Sequence, residues 1–99
     1  MTYTLIINPE AQQDIEQAYN YYSNQVSTQV AELFYDDLQE SYSALQINPF
    51  YQIRIKHYRA IPLKKFPYLL FFEIIVDKNI VKILALFNTY QDTEKYPQW

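Results

Sequence analysis

Arg54, Lys56, Arg59, Lys64 and Lys65 fall within twelve residues that hold no acid, with His57 and Tyr58 set among them. Residues of these types can act on RNA without help from a metal. Such cleavage needs a base for the 2'-hydroxyl proton, an acid for the leaving oxygen and cations for the crowded phosphate. Arg59, Lys56 and Arg54 are the candidate catalytic groups, with Lys56 a base only where its surroundings favour the neutral amine. Lys64, Lys65 and Tyr58 are the candidate RNA-binding groups, because cations neutralise phosphates and rings stack on bases. The same residue types also cover ordinary solvated strand faces. His57 is the only histidine. Strand alternation sets it with Ile53 and Ile55 toward the core, which reads as a structural position.

The composition closes off other chemistries. The chain has no glycine and no cysteine. Glycine-rich phosphate loops, thiolate metal sites, disulfides and cysteine nucleophiles are therefore absent. One histidine supports no zinc site, and a Ser-His-Asp triad has no nucleophile elbow to hold it. The acids of the first half repeat as solvated helix faces rather than as a metal cluster. No cofactor and no metal are implied.

Charge divides the 99 residues in two. Residues 1–51 carry seven acids and no Lys or Arg, whereas residues 52–99 carry all eight basic residues and four acids. The halves stand at −7 and +4, for a net −3. The whole-molecule field disfavours long-range steering of a polyanion, so the basic segment can grip one only at close range. The first residues show no basic segment followed by a long apolar run, and Glu73 interrupts the longest apolar stretch. A cytoplasmic protein without a membrane segment is expected.

The elements follow from periodicity. Residues 2–7 alternate as a strand. Asn8, Pro9 and Glu10 then mark a helix start, and Ala11, Ile15, Ala18, Tyr19 and Tyr22 form its buried stripe to about Ser23. A second helix begins near Ser27 or Thr28 and ends at Asn48-Pro49. Its apolar face is Val30, Leu33, Phe34, Leu38, Tyr42 and Leu45, with Asp36, Asp37 and Glu40 mostly opposite. The tyrosine clusters read as core or, where exposed, as a protein contact. After Pro49 the period changes to two. Strands are expected over 51–58, over 59–65 with Pro62 at an edge or bulge, over 68–76 at the sheet centre, and over 80–87. In the last, Ile80, Lys82, Leu84 and Leu86 alternate against Val81, Ile83, Ala85 and Phe87. If Ile53 and Ile55 face the helices, Arg54, Lys56 and Tyr58 share the other side. The result is one α+β domain over 1–99, ordered β-α-α-β-β-β-β. An antiparallel helix pair packs on one face of a mainly antiparallel sheet.

Along nearly its whole length the chain resembles the RelE/ParE superfamily of toxins. The resemblance rests on Asn8-Pro9-Glu10-Ala11 after the first strand, Asp14-Ile15 and the Tyr19 to Tyr22 cluster, and Leu45 to Pro49. Its most specific part is Arg59 through Phe66-Pro67-Tyr68, similar to a segment of ParE-like members. The tail departs from the pattern: Asn88 stands where many members have His, Gln91 where they have Arg and Thr93 where they have Pro. The resemblance implies a toxin of a type II toxin-antitoxin, or plasmid-stabilisation, system with a cognate antitoxin as partner. It leans to a ParE-like inhibitor of a protein target such as DNA gyrase. The alternatives are a metal-independent endoribonuclease acting on mRNA at the ribosome, and an inactive relative that still binds its antitoxin.

Overall fold

The computed structural model describes residues 2–90 and Tyr96. Strand β1 (Thr4–Ile7) leads into helix α1 (Pro9–Gln25), followed by helix α2 (Thr28–Ile47). Strands β2 (Ile53–Ile55), β3 (Tyr58–Pro62), β4 (Tyr68–Ile75) and β5 (Ile80–Asn88) complete the order. The sheet runs β1-β5-β4-β3-β2. β1 pairs with β5 in parallel, and every other pairing is antiparallel. The fold class expected from the sequence is the one found, and β4 is the central strand.

Local chemistry sets the boundaries. Pro9 opens α1, where its missing N–H costs no hydrogen bond. The Ser27 side chain accepts the Val30 N–H at 3.1 Å and caps α2. The β4–β5 connection turns on Asn79, held at φ 54°. In a chain without glycine, asparagine is the residue best suited to that left-handed conformation.

Helix and sheet meet in one apolar layer, with Ile15 of α1 and Phe34, Leu38 and Leu45 of α2 against Leu70, Phe72, Val81 and Ile83. The face of the sheet away from the helices carries a second cluster of Ala60, Leu69, Phe71, Ala85 and Phe87, with Ile55 and Tyr96 against it.

Four details differ from the sequence reading. Ile55 packs on the face away from the helices, because β2 is only three residues long and its register against β3 is irregular. A bulge interrupts the β4–β5 pairing: Phe72 faces Ile83 and Phe71 faces Ala85, with Leu84 as the extra residue. Leu86 therefore joins Val81 and Ile83 on the helix side, which simple alternation forbids. Leu33 is 47 % exposed. Asp37 is buried rather than outward, and accepts the backbone N–H groups of Lys64, Lys65 and Phe66 at 3.2, 2.8 and 3.0 Å.

Candidate functional site

The basic residues do not converge on one point. Arg54 lies exposed in the edge strand β2, and Lys56 sits in the β2–β3 turn at φ 52°. Lys64 and Lys65 follow the far end of β3, where Asp37 holds their backbone. The five residues of β3 between the two groups span about 16 Å at the usual strand rise. Arg59 lies on β3 opposite Phe72, on the helix side of the sheet. Its Nη1 donates to the Tyr51 carbonyl at 2.7 Å, and its guanidinium stacks over the Phe50 ring at 5.4 Å. Tyr58, next along β3, falls on the other face.

That other face holds a polar row that sequence reasoning missed. Glu73 pairs with Lys82 across β4 and β5, and Lys82 with Ile6 across β5 and β1. Tyr58 reaches the same row from β3, one position beyond the Arg59 and Phe72 pair. Together Tyr58, Glu73, Lys82, Leu84, Asn8 and Glu10 line a cleft of about 330 Å³. His57 comes over it from the turn, with Nε2 3.2 Å from Glu73 Oε2 and its ring 4.2 Å from that of Tyr58. The imidazole is exposed rather than turned toward the core. In the tautomer that donates from Nε2 to Glu73, Nδ1 keeps a lone pair that can accept a proton. The signal in the sequence was Glu73, a lone charge in an apolar strand that stands opposite Lys82.

The two zones of this face differ in chemistry. Beyond the polar row the surface is apolar, and Tyr96 covers it with its ring 5.1 Å from Phe71 and 4.7 Å from Phe87. Asn88 ends β5, where its Oδ1 accepts the Tyr90 N–H at 2.9 Å. Gln91, the other altered tail position, lies outside the described residues, as does Thr93. Burial raises the Tyr42 and Tyr68 hydroxyls above their ordinary range, which keeps both neutral. Among the described residues, no helix is long and apolar enough to cross a membrane.

Comparisons with known proteins agree with this architecture. A chain of the chromosomal ParDE TA system from P. aeruginosa superposes with a TM-score of 0.74 at 19% identity, covering 88% of this chain and 96% of that one. A chain of the RelBE2 toxin-antitoxin complex from Mycobacterium tuberculosis gives 0.60 at 14% identity, covering 89% and 99%. A chain of the intact E. coli RelBE complex gives 0.53 at 17% identity, covering 87% and 95%. At these identities the likeness shows the fold. No curated protein sequence matches at a significant level. The model of the family described as "ParE toxin of type II toxin-antitoxin system, parDE" matches residues 5–93. The chain belongs to the ParE toxin family of type II toxin-antitoxin systems.

Proposed function

We propose that this toxin arrests growth by binding a protein target, with DNA gyrase the target that its ParE-like character points to, and that a cognate antitoxin neutralises it in the cytoplasm. The observation that carries this reading is the engagement of Arg59. A cation that served an RNA phosphate would need its donors directed at the substrate. Here one donor is held by the Tyr51 carbonyl, and the guanidinium face lies on Phe50. Lys64 and Lys65 stand at the opposite end of β3 from Lys56, which leaves no shared phosphate cradle for these cations.

A second reading, metal-independent cleavage of mRNA, is favoured by the cleft around His57, Glu73, Lys82 and Tyr58. It combines a proton acceptor, a cation and an aromatic ring. Inducible expression separates the two. The protein-target reading expects DNA-damage signalling and intact messages, with growth restored when the antitoxin encoded beside the toxin is co-expressed. Fragmented messages without DNA-damage signalling would replace it with the second.

A further inference from the structure

The segment that joins α2 to β2 exposes four large apolar side chains within seven positions: Ile47, Phe50, Tyr51 and Ile53, with Ile47 at 73 %. Single exposed apolar residues are ordinary, whereas a contiguous group marks a contact surface. Three of these four meet at Arg59. Its guanidinium lies over Phe50, its Nη1 donates to the Tyr51 carbonyl, and its backbone pairs with Ile53 across β2 and β3. Ile47 ends α2 beside them. There Tyr3 donates its N–H to the Gln46 carbonyl at 2.9 Å and sets its ring edge-on to Phe50.

Bonds that do not involve Arg59 also hold the segment. The Phe50 N–H donates to Asn48 Oδ1 at 3.2 Å and the Tyr51 N–H to the Pro49 carbonyl at 2.8 Å, with Pro49 itself buried. A surface formed in advance loses little freedom on binding. Its rim is cationic. Residues 47–65 hold no acid. Arg54 and Lys56 are exposed and have no ion-pair partner among the described residues.

We propose that this patch is the surface with which the toxin grips its protein target, and that it takes an apolar knob of that target set in an acidic rim. The inference rests on the protein-target reading above and names the surface and the chemistry that reading leaves open. β2 is the outermost strand of the sheet, so a partner that straddles the edge meets Ile53 on one face and Arg54 on the other. Strand addition is a poor fit, because β2 offers only three residues in an irregular register. The contact therefore runs through side chains. Two of the four exposed residues are isoleucines, which gain from an apolar partner and nothing from stacking on a base. The Phe50 ring already carries the Arg59 guanidinium. Single-stranded RNA is disfavoured on both grounds. The chain's net −3 also repels a polyanion at range, whereas a few carboxylates around an apolar centre can meet Arg54 and Lys56 at close quarters.

The test measures gyrase inhibition by the purified toxin and by its variants Ile47→Ser/Ile53→Thr and Arg54→Glu. Each is checked for native circular dichroism and for binding of the antitoxin encoded beside it. Ile47→Ser/Ile53→Thr should weaken inhibition about tenfold or more at every salt concentration. Arg54→Glu should weaken it at low salt, with the deficit shrinking as salt rises. Antitoxin binding should be unchanged in both. Inhibition by both variants equal to that of the parent would overturn the proposal alone. So would an equal loss of antitoxin binding, or a dimer of the parent chain that Ile47→Ser/Ile53→Thr dissolves, since either gives the patch another occupant. A single-stranded RNA that the parent binds and Arg54→Glu releases, with gyrase inhibition unchanged, would also overturn it. A parent chain that leaves gyrase uninhibited would instead overturn the protein-target reading on which the proposal stands.

Discussion

Arg59 donates to the Tyr51 carbonyl at 2.7 Å and stacks on Phe50, tying strand β3 to the segment that leaves helix α2. A charged hydrogen bond and a cation–π contact at a partly exposed site together contribute about 1–2 kcal/mol. Arg59→Ala should therefore lower the unfolding free energy measured in urea by that amount while leaving target inhibition intact in the folded fraction. Arg59→Lys should recover only part of the loss, because an ammonium lacks the planar fork. If RNA cleavage is measured and Arg59→Ala reduces it on the order of a hundredfold with no change in stability, the residue belongs to chemistry instead.

Asp37 is the anchor of the loop between β3 and β4. Its carboxylate accepts three backbone N–H groups, and its residue is 3 % exposed. Removing it leaves three donors without that acceptor, at a cost of about 3 kcal/mol or more. Asp37→Ala should show that loss in chemical denaturation. The amides of Lys64, Lys65 and Phe66 should exchange with solvent far faster than in the parent chain. Unchanged exchange at those amides would show that the loop is held by other means.

Where β1 stops pairing at Ile7 and Ile83, the Asp14 carboxylate takes over and accepts the Leu86 N–H at 3.1 Å. Burial raises the Asp14 carboxyl above its ordinary value of 3.8, outweighing the lowering by the Leu86 N–H, while Glu10 adds to the rise. The folded chain then holds that proton more tightly than the unfolded one. The contribution is fully present below the unfolded value and is lost as pH rises through the raised folded value. Asp14→Asn keeps an acceptor oxygen and removes the titration. Its stability should fall less than that of the parent as pH rises from about 4 toward 7. Parallel stability curves for the two proteins would contradict this.

Lys56 holds a left-handed conformation at φ 52°. The conformation costs a residue with a Cβ roughly 1–2 kcal/mol, and asparagine tolerates it better. Lys56→Asn should stabilise the chain by about 0.5–1 kcal/mol, read as a higher thermal midpoint. A lower midpoint would mean that the lysine side chain makes contacts that outweigh the strain.

The fold was largely legible because hydrophobic period, proline position and capping residues agree. The two helix starts, the stop before Pro49 and the central place of β4 all come from local chemistry. Pairing geometry was not legible. The bulge at Leu84 and the three-residue β2 shift side chains between faces by one position, and nothing local in the sequence marks either. That is why Leu86 shares a face with Val81 and Ile83, why Ile55 packs away from the helices, and why His57 is exposed rather than turned toward the core. Asp37 departs from its expected outward place because helical spacing cannot distinguish an exposed acid from one that collects distant N–H groups. The polar row was half visible: Glu73 and Lys82 stood out singly, but their pairing depends on the register of two strands.

On the reading proposed above, this ParE-family toxin acts on a protein and not on RNA. The most direct measurement places the purified chain in two parallel assays, DNA supercoiling by gyrase and integrity of a ribosome-bound message. The expected result is loss of supercoiling at near-stoichiometric toxin, reversed by the antitoxin, with the message intact. Cleavage of the message with undisturbed supercoiling would contradict it.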